Sequence, residues 1–97
     1  MISISEDERR ILLDVLARWA PGVGVRAFGS RVHGNAKRWS DLDLVLMSEA
    51  PISPETMMMI KLDFSESDLP WRVDVLEWAR VDESFRHSIA GDLTPIE

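Results

Sequence analysis

Cysteine is absent from the 97-residue chain. Disulfides and thiolate metal sites are therefore excluded, and any metal must sit on carboxylates, histidine or hydroxyls. Positive charge is scarce: eleven Lys and Arg stand against seventeen Asp and Glu, a net charge of −6. That balance argues against a protein that grips a phosphate backbone, so nucleic acid is not an expected partner. No apolar run approaches the roughly 20 residues of a membrane span. The opening Met1-Ile2-Ser3-Ile4-Ser5-Glu6-Asp7-Glu8 lacks the basic start and long apolar stretch of an export signal, so a cytoplasmic location is expected. Linkers, repeats and low-complexity segments are missing as well, and one domain over 1–97 is the expectation. With 45% apolar and 29% charged residues, the composition is that of a folded globular chain.

Local signals divide the chain into alternating elements. Ser5 and Glu8 form a capping-box pattern, and Ile11, Leu12, Val15, Leu16 and Trp19 follow at helical spacing until Pro21-Gly22. Val23 to Phe28 leans towards strand and stops at Gly29-Ser30. The polar, basic stretch 31–40 suits a short helical turn and a loop. Leu42 to Met47 is a second strand, with Leu42, Leu44 and Leu46 on one face. Ser53-Pro54-Glu55 starts a helix with an apolar face of Met57, Ile60 and Phe64, ending near Asp68-Leu69-Pro70. Trp71 to Trp78 reads as a third strand, and Val81, Phe85 and Ile89 as a last short helix. The pattern predicts an α/β (α+β) fold, a small mixed three- to four-stranded sheet with helices packed on it.

Three acids stand apart. Asp41 and Asp43 are two apart at the start of a strand, so their side chains leave the same face. Asp74 lies within the apolar run Trp71-Arg72-Val73-Asp74-Val75-Leu76, an unfavourable place for a charge. If these strands are neighbours, three carboxylates converge, and a divalent cation would relieve their repulsion; oxygen ligands of this kind select Mg²⁺ or Mn²⁺. Upstream, Gly29 permits close approach of a ligand to backbone, Ser30 adds a hydroxyl, and Gly34 keeps a further side chain out of the way. A phosphate site beside paired carboxylates is the arrangement that phosphoryl or nucleotidyl transfer needs.

Gly29-Ser30, ten intervening residues and Asp41-Leu42-Asp43 resemble the GS-x10-DxD signature of polymerase-beta-like nucleotidyltransferases. The fuller Phe28-Gly29-Ser30-Arg31-Val32-His33-Gly34 and Ser40-Asp41-Leu42-Asp43-Leu44 resemble the minimal nucleotidyltransferase (MNT) branch, with Asp74 where that family carries a third carboxylate. The resemblance covers residues 5 to 90 and implies the polymerase-beta-like fold. It implies that Gly29 and Ser30, with Arg31 and Gly34, bind the triphosphate of ATP or another NTP. It further implies that Asp41, Asp43 and Asp74 are catalytic and hold two Mg²⁺ ions. NMP would then pass to an acceptor hydroxyl with release of pyrophosphate. Larger relatives carry acceptor-binding domains for which this chain has no residues. Minimal members are often paired with a small helical HEPN protein, so the resemblance implies a hetero-oligomer in which this chain is the antitoxin and adenylylates the toxin. Two rival readings stay open: a catalytically idle module that neutralises its partner by contact, and transfer to a small-molecule or RNA acceptor.

Other residues admit two readings at this level. Asp74 is either part of the cluster or a water-facing edge-strand residue. Arg31, Lys37 and Arg38 either assist the triphosphate or acceptor or belong to a solvated loop. His33 reads as a surface residue before a phosphate donor, and Ser30 as a helix cap compatible with phosphate binding. His87 reads as structural or exposed. Met57-Met58-Met59 must turn at least one side chain outward. Trp39, Trp71 and Trp78 read as packing residues, Trp39 alternatively as a flank for a base.

Overall fold

A computed structural model describes residues 2–34 and 36–96 of the chain. Its helices are α1 (Glu6–Trp19), α2 (Ser30–His33), α3 (Pro54–Glu66) and α4 (Glu83–Ile89), with a 3-10 turn at Ala90–Asp92. The strands are β1 (Val25–Phe28), β2 (Leu42–Leu46), β3 (Val73–Glu77) and β4 (Thr94–Pro95). The sheet order is β3-β2-β1-β4, with β1 antiparallel to β2 and β4 and with β2 parallel to β3. The mixed sheet expected from the sequence is therefore present, with four strands.

Helix ends form where the sequence places caps. The Ser5 hydroxyl accepts from the Glu8 amide at 3.1 Å, while the Glu8 carboxylate accepts from the Ser5 amide at 2.8 Å. Ser53 caps α3 ahead of Pro54, and Asp82 caps α4 by accepting from the Phe85 amide. No helix among the described residues is long and apolar enough to cross a membrane.

The period-two pattern divides the sheet into two faces. Leu42, Leu44 and Leu46 are fully buried and pack with Val25, Ala27 and Val75 beneath Leu12, Leu16, Met57, Ile60 and Phe64 of α1 and α3. Between those helices, Asp63 of α3 accepts from the Trp19 indole N–H and, at 2.9 Å, from Arg18 of α1. The Trp19 bond lowers the Asp63 carboxyl below the usual range, partial burial opposes it, and Arg18 adds to it.

The opposite face is only half covered. Phe28, Val45 and Ile89 form a small cluster there with Leu76, Trp78 and Leu93, under α4 and the 3-10 turn. Phe85 meets Phe28 edge to face, with ring centroids 5.9 Å apart. The carboxylates of β2 and β3 lie on this face, at the second residue of each strand.

Candidate active site

Asp43 and Asp74 are direct neighbours in the parallel register of β2 and β3. A parallel ladder aligns side chains of paired residues on one face, so the two carboxylates stand side by side. Asp41 precedes Asp43 on the same face and acts on it electrostatically. Burial raises the Asp43 carboxyl above its ordinary value, and the charges of Asp74 and Asp41 raise it further. β3 is an edge strand and Asp74 is exposed, so both sequence readings hold together: it faces water and it stands beside Asp43.

The turn after β1 closes the site from the other side. Gly29 pairs its backbone with neither helix nor strand geometry: φ is +86° and ψ −158°, a region open to glycine. A side chain there would also strike the Asp43 carboxylate, whose Cγ lies 3.3 Å from where a Cβ would stand. Gly29 therefore serves conformation and clearance at once. Gly34 is different. It adopts the left-handed conformation at the end of α2, with φ +80° and open space around it, so backbone geometry alone demands glycine. Gly29, not Ser30, is the N-cap of α2, and no side chain caps that turn. The Ser30 hydroxyl is thus not spent on capping.

Arg31 departs from the solvated-loop reading. It is not solvated but 5% exposed. Its guanidinium donates to the carbonyls of Ser3 at 2.8 Å, Ser40 at 3.0 Å and Arg38 at 3.2 Å, and it lies 4.5 Å above the Trp71 ring. One cation thereby ties the N-terminal segment, the loop that delivers Asp41, and the entry to β3 that delivers Asp74. Its partners are distant backbone carbonyls, which leave no local mark in sequence. Trp71 packs as expected, whereas Trp39 does not: it is 71% exposed on the loop before Asp41. His33 is half-exposed and bonds Asp92 at 3.0 Å, and exposed His87 lies near Glu83. Glu77, which the sequence reading passed over, is buried at the far end of β3. There it accepts from the Ile52 amide at 2.6 Å and pairs with Arg80 at 2.9 Å, fixing the approach to α3.

The donor set fits a hard divalent cation. All candidate ligands are oxygens, and the groove that Asp43 and Asp74 line leaves room for an ion. Among the described residues no three His, Asp or Glu side chains are drawn together tightly enough to enclose an ion unaided. Asp43 stands next to Asp74 in register, and the charges of both Asp74 and Asp41 act on it. Such a set suits an ion that completes its shell with substrate phosphate oxygens and water.

Comparison with known proteins agrees with this geometry. Residues 23–96 match the family model described as polymerase beta, nucleotidyltransferase. The chain is also similar to a probable protein adenylyltransferase, MntA, of Haemophilus influenzae. The two are 48% identical over 88 residues, covering 91% of this chain and 77% of that protein.

Two outcomes follow from the site. Arg31→Ala removes the bonds to three carbonyls and the contact with Trp71 and should cost about 2–4 kcal/mol, lowering Tm by on the order of 10 °C or more. Arg31→Lys should recover only part of this, because an ammonium lacks the planar fork. The raised Asp43 pKa means that its ionised form is less favourable in the folded chain than in the unfolded one. Its contribution to stability is full below about pH 4 and is lost as pH rises through the elevated folded value. In metal-free buffer, Asp43→Asn should raise Tm at pH 7, with the gain shrinking towards pH 4. Thermal melts across that range check the sign, and a lower Tm at pH 7 would contradict it.

Proposed function

The chain belongs to the polymerase beta nucleotidyltransferase family, and on that premise we propose that it transfers AMP from ATP to a hydroxyl of a partner protein. The observation that supports this most directly is the Asp43–Asp74 pair seated against Gly29, in a chain nearly half identical to a probable protein adenylyltransferase.

In this reading the turn from Gly29 to Gly34 receives the triphosphate. Backbone N–H groups and the Ser30 hydroxyl bind its oxygens, and the absence of a side chain at Gly29 lets them approach Asp43. Asp41, Asp43 and Asp74 supply carboxylate oxygens to two Mg²⁺ ions. When bound, these ions neutralise phosphate charge and favour ionisation of the attacking hydroxyl. Asp74, the more exposed of the close pair, accepts the acceptor's proton. The acceptor oxygen bonds to the α-phosphorus as the bond to pyrophosphate breaks, and pyrophosphate leaves with the electron pair. Arg31 contributes by holding the loop of Asp41 in place.

The partner in this reading is a small helical HEPN-type protein encoded nearby, and the reaction neutralises it; the family resemblance supports this assignment. A contact surface also exists for the rival reading of an idle binding module. Met58 and Leu62, one turn apart on α3, are exposed large apolar residues.

Labelled ATP separates these readings. The chain is incubated with the product of its adjacent gene, Mg²⁺ and ATP labelled at the α-phosphate, with γ-labelled ATP as control. Label from the α-position alone should reach the partner and fall by at least about 10³-fold in Asp43→Asn, the scale on which an electrostatic catalytic group acts. A tight complex that takes no label with any NTP would favour neutralisation by contact.

A further inference from the structure

We propose that the acceptor enters as an extended polypeptide segment laid along the free edge of β3, with its hydroxyl presented to Asp74. This rests on the reading of the chain as a protein nucleotidyltransferase and specifies how that acceptor is held.

A groove of about 800 Å³ is lined by eight consecutive residues, 69–76, together with Asp43, Lys61, Phe64 and Phe85 among others. Successive strand residues point to opposite faces, so a cavity touching all of them runs along the strand's edge rather than over one face. Among the described residues that edge has no partner strand, because β3 ends the sheet.

The backbone phase shows what the edge offers. Leu42 N donates to Arg72 O, and Trp78 N donates to Leu46 O, both at 2.9 Å. Even-numbered residues of β3 therefore turn their amide groups towards β2. Odd-numbered residues turn theirs outward, as the Glu77 carbonyl confirms by accepting from Arg80 and Val81 in the following turn. Val73 and Val75 are left with outward N–H and C=O groups that have no hydrogen-bond partner among the described residues. The Val75 side chain lies in the core, so what it brings to the groove is main chain. Two donors and two acceptors at strand spacing suit an added strand, the mode by which sheet edges capture peptides.

The position of the groove identifies the occupant. It contains Asp43 and Asp74 but neither Gly29 nor Ser30. The glycine turn follows β1, while the groove borders β3 and crosses Asp43 of β2 to end against Phe28, the residue before that turn. Phosphates bound at the turn and an acceptor bound at the edge thus reach the carboxylates from opposite sides, as in-line displacement requires. Phe64, Leu69 and Phe85 offer apolar contacts for alternate side chains. Lys61 and Arg72 place positive charge along the groove of a chain that is acidic overall. The occupant is accordingly an extended, hydroxyl-bearing segment with acidic neighbours, not a nucleotide base.

Blocked nonapeptides of alternating valine and glutamate test this, one with a central tyrosine as acceptor and one with a central phenylalanine as a non-reacting ligand. Val73→Pro removes one outward N–H without touching the bonds to β2, and Lys61→Glu reverses a charge on the wall. Each should raise KM for the tyrosine peptide about tenfold, the scale of one hydrogen bond to a docked strand, with kcat and the KM for ATP within about twofold. In the wild-type chain with an unreactive ATP analogue, the phenylalanine peptide should slow amide hydrogen exchange at Val73 and Val75. Unchanged KM in both variants, or protection elsewhere, overturns the proposal. So does concentration-dependent protection of these amides without peptide, which would assign the edge to a second copy. A chain that labels a whole partner protein but neither labels nor is protected by the peptides keeps its protein acceptor and loses this docking mode. A chain that labels no polypeptide at all overturns both.

Discussion

Asp43 holds a carboxylate in a narrow space, with the Gly29 backbone on one side and the Asp74 carboxylate on the other. Electrostatics and burial both disfavour its charge there. A fold optimised only for stability would not place two ionised side chains in adjacent register on a half-covered sheet face. The cost is borne locally, by a glycine whose φ few other residues adopt and by leaving this end of the sheet open to solvent. Repulsion that a bound cation would relieve is a reason for such a site to be built and then left without side-chain cover.

The rest of the chain supplies rigidity to that end. The face opposite the carboxylates is filled by fully buried leucines of β2 beneath α1 and α3, so the strands that carry Asp43 and Asp74 cannot slip without exposing core. Arg31 does for the loops what the leucines do for the sheet, gathering three segments distant in sequence around one buried cation. Glu77 and Asp63 brace the far end of β3 and the helix pair. The loops around the carboxylates thus depend on a buried positive charge.

Much of this was legible in sequence because its determinants are local. The capping box at Ser5 and Glu8, Pro54 at the start of α3, and the alternation of Leu42, Leu44 and Leu46 each encode an element within a few residues. The spacing from Gly29-Ser30 to Asp41-Leu42-Asp43 carried the site, because one turn and one strand start suffice to place those residues. What escaped depends on tertiary contact. Arg31 is a basic residue in a basic stretch, and only carbonyls from residues 3, 38 and 40 with the Trp71 ring reveal its burial. Trp39 shows the reverse, an aromatic residue that propensity assigns to packing but that the loop turns to solvent. The two-residue β4 contains Pro95 and forms only by pairing with β1, so no periodicity could announce it. The adjacency of Asp43 and Asp74 likewise lies in register, which sequence alone does not fix.

The central claim is that the carboxylates beside Gly29 form a divalent-metal site completed by nucleotide. Electron paramagnetic resonance of Mn²⁺ titrated into the chain tests it without relying on turnover. Two bound ions are expected when an unreactive ATP analogue is present, with much weaker binding in its absence and loss of both ions in Asp43→Asn. Nucleotide-independent binding that survives that substitution, or no binding at all, would contradict the account.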